Sequence, residues 1–234
     1  MRRFLKLHVV EPAVYWWAHY QLRLILIVVA RWKVTGRERV PQTGPLVVVC
    51  NHMSMADPPV LASAIKGRRI RYMAKAEIFR PPWGWIPAAY GAFGVRRFEG
   101  DLTAMLNAER VLRRGEVLGM FPEGTRSKTG WLQRPHPGTA LIALRAGAPI
   151  LPCAIVGTDS LHGPLSLLTR PTIRVAIGEP IALEAVRRPT EDQVSELTNR
   201  IYEEIKALLP AKYHPAYTGT EEAATADGAN SPSQ

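Results

Sequence analysis

The chain has 234 residues, 47% of them hydrophobic, with 30 Lys and Arg against 20 Asp and Glu. That is enough for one α/β domain with appendages and excludes a disordered protein. The formal charge of +10 favours acidic partners, but no zinc-ligand spacing, nucleic-acid motif or aromatic-basic single-strand pattern accompanies it, so nucleic acid is set aside.

Residues 1–34 stand apart. Arg2, Arg3 and Lys6 open them, Tyr15, Trp16, Trp17 and Tyr20 follow, and an apolar run over 24–30 leads to Arg31 and Lys33. A spanning helix needs about 20 largely apolar residues, and His19, Gln21 and Arg23 interrupt this one. Aromatics among cations suit the bilayer interface, and no small-residue cleavage site follows. The segment is therefore expected to be helical and membrane-associated, peripheral or monotopic on the cytoplasmic side of the cell membrane, with a spanning helix or a buried core helix as the alternatives.

Residues 31–37 read as a first strand ending at Gly36. The unbroken apolar run 46–50 reads as a buried second strand. Asn51-His52-Met53-Ser54-Met55-Ala56-Asp57 comes next, then Pro58 and Pro59. With Asp57 as N-cap and Pro58 at the first helical position, a helix runs to Lys66 and stops at Gly67. Residues 68–74 form the next strand; Arg68, Arg69 and Arg71 read as a solvated edge or a contact for an acidic acyl carrier. Lys75, at its carboxyl end, is a candidate phosphate ligand. Trp83, Trp85 and Ile86 mark a short apolar segment, either core or the wall of an acyl groove. If 93–97 is extended, Phe93, Val95 and Arg97 share a face, which makes Arg97 a better anion ligand than Arg96.

Leu102, Met105, Leu106 and Leu112 predict a helix over 101–114. A strand over 117–121 runs into Pro122-Glu123-Gly124-Thr125-Arg126. Gly124 permits a tight turn, Thr125 offers a hydroxyl, and Arg126 offers a planar fork suited to phosphate. A helix over 136–147 breaks at Gly147-Ala148-Pro149. Strands follow over 150–156, with Pro152 expected at its start or on an edge, and over 172–177. Thr190 and Gln193 form a capping box for a helix carrying Val194, Leu197, Ile201, Ile205 and Leu208. Cys50 and Cys153 each adjoin a strand-like run and read as buried thiols in a reducing compartment. Residues 216–234 are small and polar and read as a disordered tail.

The chemistry centres on His52 and Asp57. On one regular helix, residues five apart point about 140° away from each other. Across a strand-to-helix bend they can meet. A carboxylate on one ring nitrogen fixes the tautomer and leaves the other nitrogen as a general base.

Together these stretches resemble the glycerolipid acyltransferase family, typified by the 1-acyl-glycerol-3-phosphate acyltransferases. Asn51-His52 with Asp57 matches its first block, and Gly91 to Arg97 its second. Phe121 to Arg126 matches the third completely, and Pro149-Ile150-Leu151-Pro152 the fourth. The blocks fall in family order over about residues 35–180. One departure is Arg96, where many members carry an acidic residue.

The resemblance implies an α/β fold with a mostly parallel sheet flanked by helices, and an acyltransferase domain over 35–215. It implies that His52, oriented by Asp57, deprotonates a lysophospholipid hydroxyl, which attacks an acyl thioester directly. Lys75, Arg97 and Arg126 would hold the acceptor phosphate, with Thr125 and the Gly124 backbone nearby. Glu123, repelled by a phosphate dianion, would orient Arg126 or bond a glycerol hydroxyl. No cofactor or metal is implied; the co-substrate is acyl-CoA or acyl carrier protein. The expected acceptor is lysophosphatidate, with another lysophospholipid, glycerol-3-phosphate or a glycolipid as alternatives. Rival readings are a metal hydrolase using His52, Asp57, Glu123 and His136, a thiol enzyme using Cys50, and a non-catalytic phospholipid-binding protein.

Overall fold

The computed structural model describes residues 12–79, 84, 87, 92–95, 102–161 and 169–215. In chain order these residues form α1 (Pro12–Val29), β1 (Arg31–Thr35), β2 (Leu46–Cys50), α2 (Asp57–Ala64), β3 (Ile70–Lys75) and β4 (Ala92–Val95). There follow α3 (Leu102–Arg113), β5 (Val117–Met120), α4 (Gly138–Ala146), β6 (Ile150–Val156), β7 (Thr172–Ile177) and α5 (Glu191–Leu208). The tail over 216–234, the segment around Trp83 and Trp85, and Arg96 and Arg97 lie outside the described residues.

The strands form one sheet in the order β1-β7-β6-β2-β5-β3-β4. Neighbours run parallel except β6 and β7, which are antiparallel. The mostly parallel sheet expected from the sequence is present. Its middle strand, β2, is buried along its whole length because both faces are covered. Val47 and Val49 pack with residues of α3, α4 and α5, such as Ala108, Ile142 and Ile201. Leu46, Val48 and Cys50 pack on the other face with Leu26 of α1 and Leu61 of α2. That two-sided burial is why the run carries no polar alternation.

β2, β5, β3, β4 and β6 all point their carboxyl ends to the same edge of the sheet. β5 inserts between β2 and β3, and β6 lies on the other side of β2. Strand order reverses here, and the carboxyl ends of the strands at such a switch point are the usual place for a site in sheets of this kind.

Several local expectations change. Arg68 and Arg71 are buried rather than a solvated edge, Arg68 donating to the Pro41 and Gly115 carbonyls and Arg71 to the Glu116 carboxylate. The first strand stops at Thr35, because Gly36 turns with φ +77° into a short 3-10 helix over Arg37–Arg39. Asp57 does not cap α2; the cap position is Ala56, without a side-chain bond, and the Asp57 carboxylate folds back on the preceding loop. Pro152 sits inside β6, a strand paired on both sides, rather than at a start or edge. On the β7 side, Ile150 exchanges both backbone bonds with Ile181, and the β7 ladder resumes at Cys153. The Pro152 nitrogen lies between these two pairings, on the side to which Ile150 donates, so its missing N–H falls at a break in the ladder. Its carbonyl is still used, accepting from Gly178 N–H at 2.8 Å.

The candidate active site

The loop after β2 is fixed at its first residue. Asn51 is fully buried; its amide donates to the Ile155 carbonyl at 2.9 Å and accepts from the Ile155 N–H at 2.8 Å. The side chain thus acts as one more backbone rung between β2 and β6, just where the chain leaves the sheet.

His52 comes next, and its Nδ1 lies 2.9 Å from Asp57 Oδ2. The same oxygen accepts from Met53 N–H at 2.6 Å and Ser54 N–H at 2.7 Å. Asp57 is fully buried at the first turn of α2, whose dipole favours a negative charge there. Three donors on one carboxylate oxygen hold the bend that brings ring and acid together. A carboxylate oxygen can only accept, so Nδ1 is the donor of this pair, and in a neutral imidazole so held Nε2 carries the lone pair. The imidazole is stacked on Phe121, with ring centroids 4.2 Å apart and planes 23° apart, and Phe121 in turn stacks with Tyr72.

The loop after β5 grips His52 from the other side. The register Leu46 with Val117 through Val49 with Met120, extended past the strand ends, sets His52 beside Glu123. His52 N–H donates to Glu123 Oε1 at 2.7 Å, and the His52 carbonyl accepts from Ser127 N–H at 2.8 Å. The other Glu123 oxygen accepts from Gln133 N–H at 3.1 Å. Glu123 is 2% exposed. Burial pushes its carboxyl up to about 7, against the two amide bonds that favour the ion. Both Glu123 oxygens thus accept from main-chain amides, and among the described residues no hydrogen bond or ion pair joins the carboxyl to Arg126.

Gly124 turns with φ +68°, and a Cβ placed there would lie 2.8 Å from His136 Cδ2. The turn leads to Thr125 and Arg126, both exposed, just before Ser127, whose N–H bonds the His52 carbonyl. Lys75 is the last residue of β3, which follows β5 outward in the sheet, and its side chain is outside the described set. Arg97 lies outside it as well. The structure thus gathers His52, Asp57, Glu123, Gly124, Thr125 and Arg126 in neighbouring segments at one edge of the sheet. Sequence reasoning gave no role to Asn51, Phe121, Ser127 or Gln133. Once β2 and β5 are known to pair from Leu46 and Val117, the register sets His52 opposite Glu123.

The rival chemistries fare differently. Among the described residues, no group of three or more His, Cys, Asp or Glu is arranged to hold a metal ion. Cys50 is fully buried, burial pushes its thiol well above the usual range, and it bonds Asn51 Oδ1 at 3.4 Å. It is no nucleophile.

A family model described as Acyltransferase matches residues 31–156, from β1 through β6. The 1-acyl-sn-glycerol-3-phosphate acyltransferase of Bacillus subtilis is 30% identical over 190 residues, covering 80% of this chain and 92% of that protein. The enzyme of the same name from Streptococcus pneumoniae is 28% identical over 192 residues, 78% of this chain and 70% of that one. The crystal structure of the 1-acyl-sn-glycerophosphate acyltransferase of Thermotoga maritima superposes with a TM-score of 0.61 at 25% identity, covering 85% of this chain and 80% of that one. With its imidazole-carboxylate pair held between the loops after β2 and β5, and a family match over more than half its length, this chain belongs to the acyltransferase family.

Proposed function

We propose that this acyltransferase moves a fatty acyl group from an acyl thioester to the free hydroxyl of 1-acyl-glycerol-3-phosphate, forming phosphatidic acid. The observation that carries the reading is the 2.9 Å His52–Asp57 pair beside the Glu123–Arg126 turn. His52 Nε2 takes the hydroxyl proton as the oxygen attacks the thioester carbonyl. The tetrahedral intermediate collapses with loss of the thiolate, which takes the proton back from the imidazolium. Asp57 stabilises that imidazolium, and the Phe121 face beneath it favours the cation. Arg126 and Thr125, with Lys75 and Arg97, hold the acceptor phosphate. Positioning two fixed reactants beside the base supplies much of the rate. Coenzyme A and acyl carrier protein thioesters present the same carbonyl, so both are donor candidates, and no cofactor enters the reaction.

The substrates are lipids, and α1 gives a reason for the protein to meet them at a bilayer. Trp17, Tyr20, Leu24, Ile27 and Val28 stand exposed on one side of α1, while Tyr15, His19 and Leu26 are buried on the other. Among the described residues no helix is long and apolar enough to cross a membrane. α1 instead lies on the bilayer surface, with the cations Arg31 and Lys33 following it at headgroup level.

The test is turnover of labelled palmitoyl-CoA and palmitoyl-acyl carrier protein against a panel of lysophosphatidate, other lysolipids and glycerol-3-phosphate, with product identification. Lysophosphatidate is expected to be the preferred acceptor, and His52→Ala to abolish transfer to it. Preference for an acceptor without phosphate would overturn the reading.

A further inference from the structure

Glu123 belongs to the run that points toward substrate, yet its position in the fold serves a different purpose. The carboxyl bridges two segments distant in sequence: the residue after Asn51 and the loop that leads into α4. Two backbone N–H donors converge on it, His52 at 2.7 Å and Gln133 at 3.1 Å. A carboxylate is the only side chain of this length with two acceptor oxygens and no donor. Glutamine has a single acceptor oxygen, so its amide nitrogen would face one of the two donors. Aspartate is a methylene too short to span them.

We infer that Glu123 is a positioning residue for the base: its carboxylate clasps the His52 main chain, and it does not bind the acceptor. Ser127 N–H closes the clasp on the His52 carbonyl. With Asp57 on Nδ1 and Phe121 against the ring, His52 is restrained at its backbone donor, its backbone acceptor, one ring nitrogen and one ring face. Loss of the clasp frees the main chain of the one residue whose Nε2 must meet a hydroxyl oxygen. A displacement of about 1 Å at such a position is enough to cost roughly 10²-fold in rate. Arg126, three residues on, is exposed and makes no hydrogen bond or ion pair with another described residue, which leaves it to the substrate.

This inference rests on His52 being the general base, so its test separates the two. In steady-state kinetics with lysophosphatidate and palmitoyl-CoA, Glu123→Gln should lower kcat by about 10–100-fold while leaving the acceptor KM within about twofold. Arg126→Ala should show the opposite split, raising KM. A Glu123→Gln enzyme with raised KM and native kcat, or with both native, overturns the clasp. A His52→Ala enzyme that retains turnover overturns the general-base reading instead. If Glu123→Gln does not fold, the wild-type enzyme decides. Its His52 amide proton should be shifted downfield and protected from solvent exchange, as expected for a short bond to a carboxylate. Exchange of that proton at the rate of an open loop would refute the clasp.

Discussion

At the scale of single residues, the site is a problem of buried charge. Asp57 is fully buried and holds one ring nitrogen and two amides on a single oxygen. Asp57→Asn preserves a carbonyl oxygen at that point but removes the charge that stabilises the imidazolium. Its kcat should fall by about 10²–10⁴-fold with little change in acceptor KM, since the lost interaction strengthens as the proton moves. A fall confined to KM would place Asp57 in binding. Glu123 sets a pH dependence of stability. Its folded value of about 7 lies above the ordinary 4.5, raised by burial and by the neighbouring Asp57 charge. Its contribution to stability is therefore full below the unfolded value and is lost as pH rises through 7, a swing on the order of 3 kcal/mol. Glu123→Gln does not ionise, so the melting temperature of the wild type relative to this variant should decline from about pH 5 to pH 8. A difference that stays constant over that range would mean the carboxyl does not titrate there.

At the scale of elements, loops are set by what the strand ends do. Asn51 substitutes for a strand rung opposite Ile155. Asn51→Leu leaves that N–H and C=O buried without partners, and each such loss costs about 1–3 kcal/mol. Chemical denaturation should show a drop of that order per group, and a variant as stable as wild type would mean water replaces the amide. The turn after Glu123 depends on Gly124. An alanine there carries the left-handed strain of about 1–2 kcal/mol, and its Cβ meets the His136 ring at 2.8 Å. Gly124→Ala should lower the melting temperature and raise acceptor KM, because Thr125 and Arg126 ride on this turn. An unchanged KM would place acceptor recognition elsewhere.

At the scale of the whole molecule, α1 inverts the usual rule for a surface helix. Its exposed side is apolar, with Trp17 66% and Leu24 57% exposed. Its buried side is tied to the sheet, with the Ile70 N–H donating to the Tyr15 hydroxyl at 3.3 Å and the Arg69 guanidinium over the Tyr15 ring. A helix held rigidly to the domain while presenting such a face suits a bilayer surface, and the net charge of +10 favours an anionic one. A Leu24→Glu, Val28→Glu double variant should lose sedimentation with anionic vesicles while keeping its melting temperature, since neither side chain supports the core. Undiminished sedimentation would mean that α1 does not carry the contact.

Some of this architecture is local, and the sequence alone determined it. The run 46–50 is β2 residue for residue, and the same holds for β6 and β7. The Thr190–Gln193 box forms as read, because capping depends on residues three apart. The meeting of His52 with Asp57 was also legible, since a bend of five residues is a short-range event. What the sequence left open required strands to be laid side by side. Pro152 lies inside a strand because the break in the ladder that tolerates it comes from residues 178–181, far along the chain. The fate of Glu123 was decided the same way. As one letter of the run from Phe121 to Arg126 it reads as a residue that orients Arg126 or bonds a glycerol hydroxyl. Only the β2–β5 register, 71 residues apart, brings the His52 amide onto its oxygen and turns the carboxyl inward. Hydrogen bonds across a parallel sheet join residues by register rather than by sequence distance, so tertiary structure alone could assign that carboxyl to the main chain of the base.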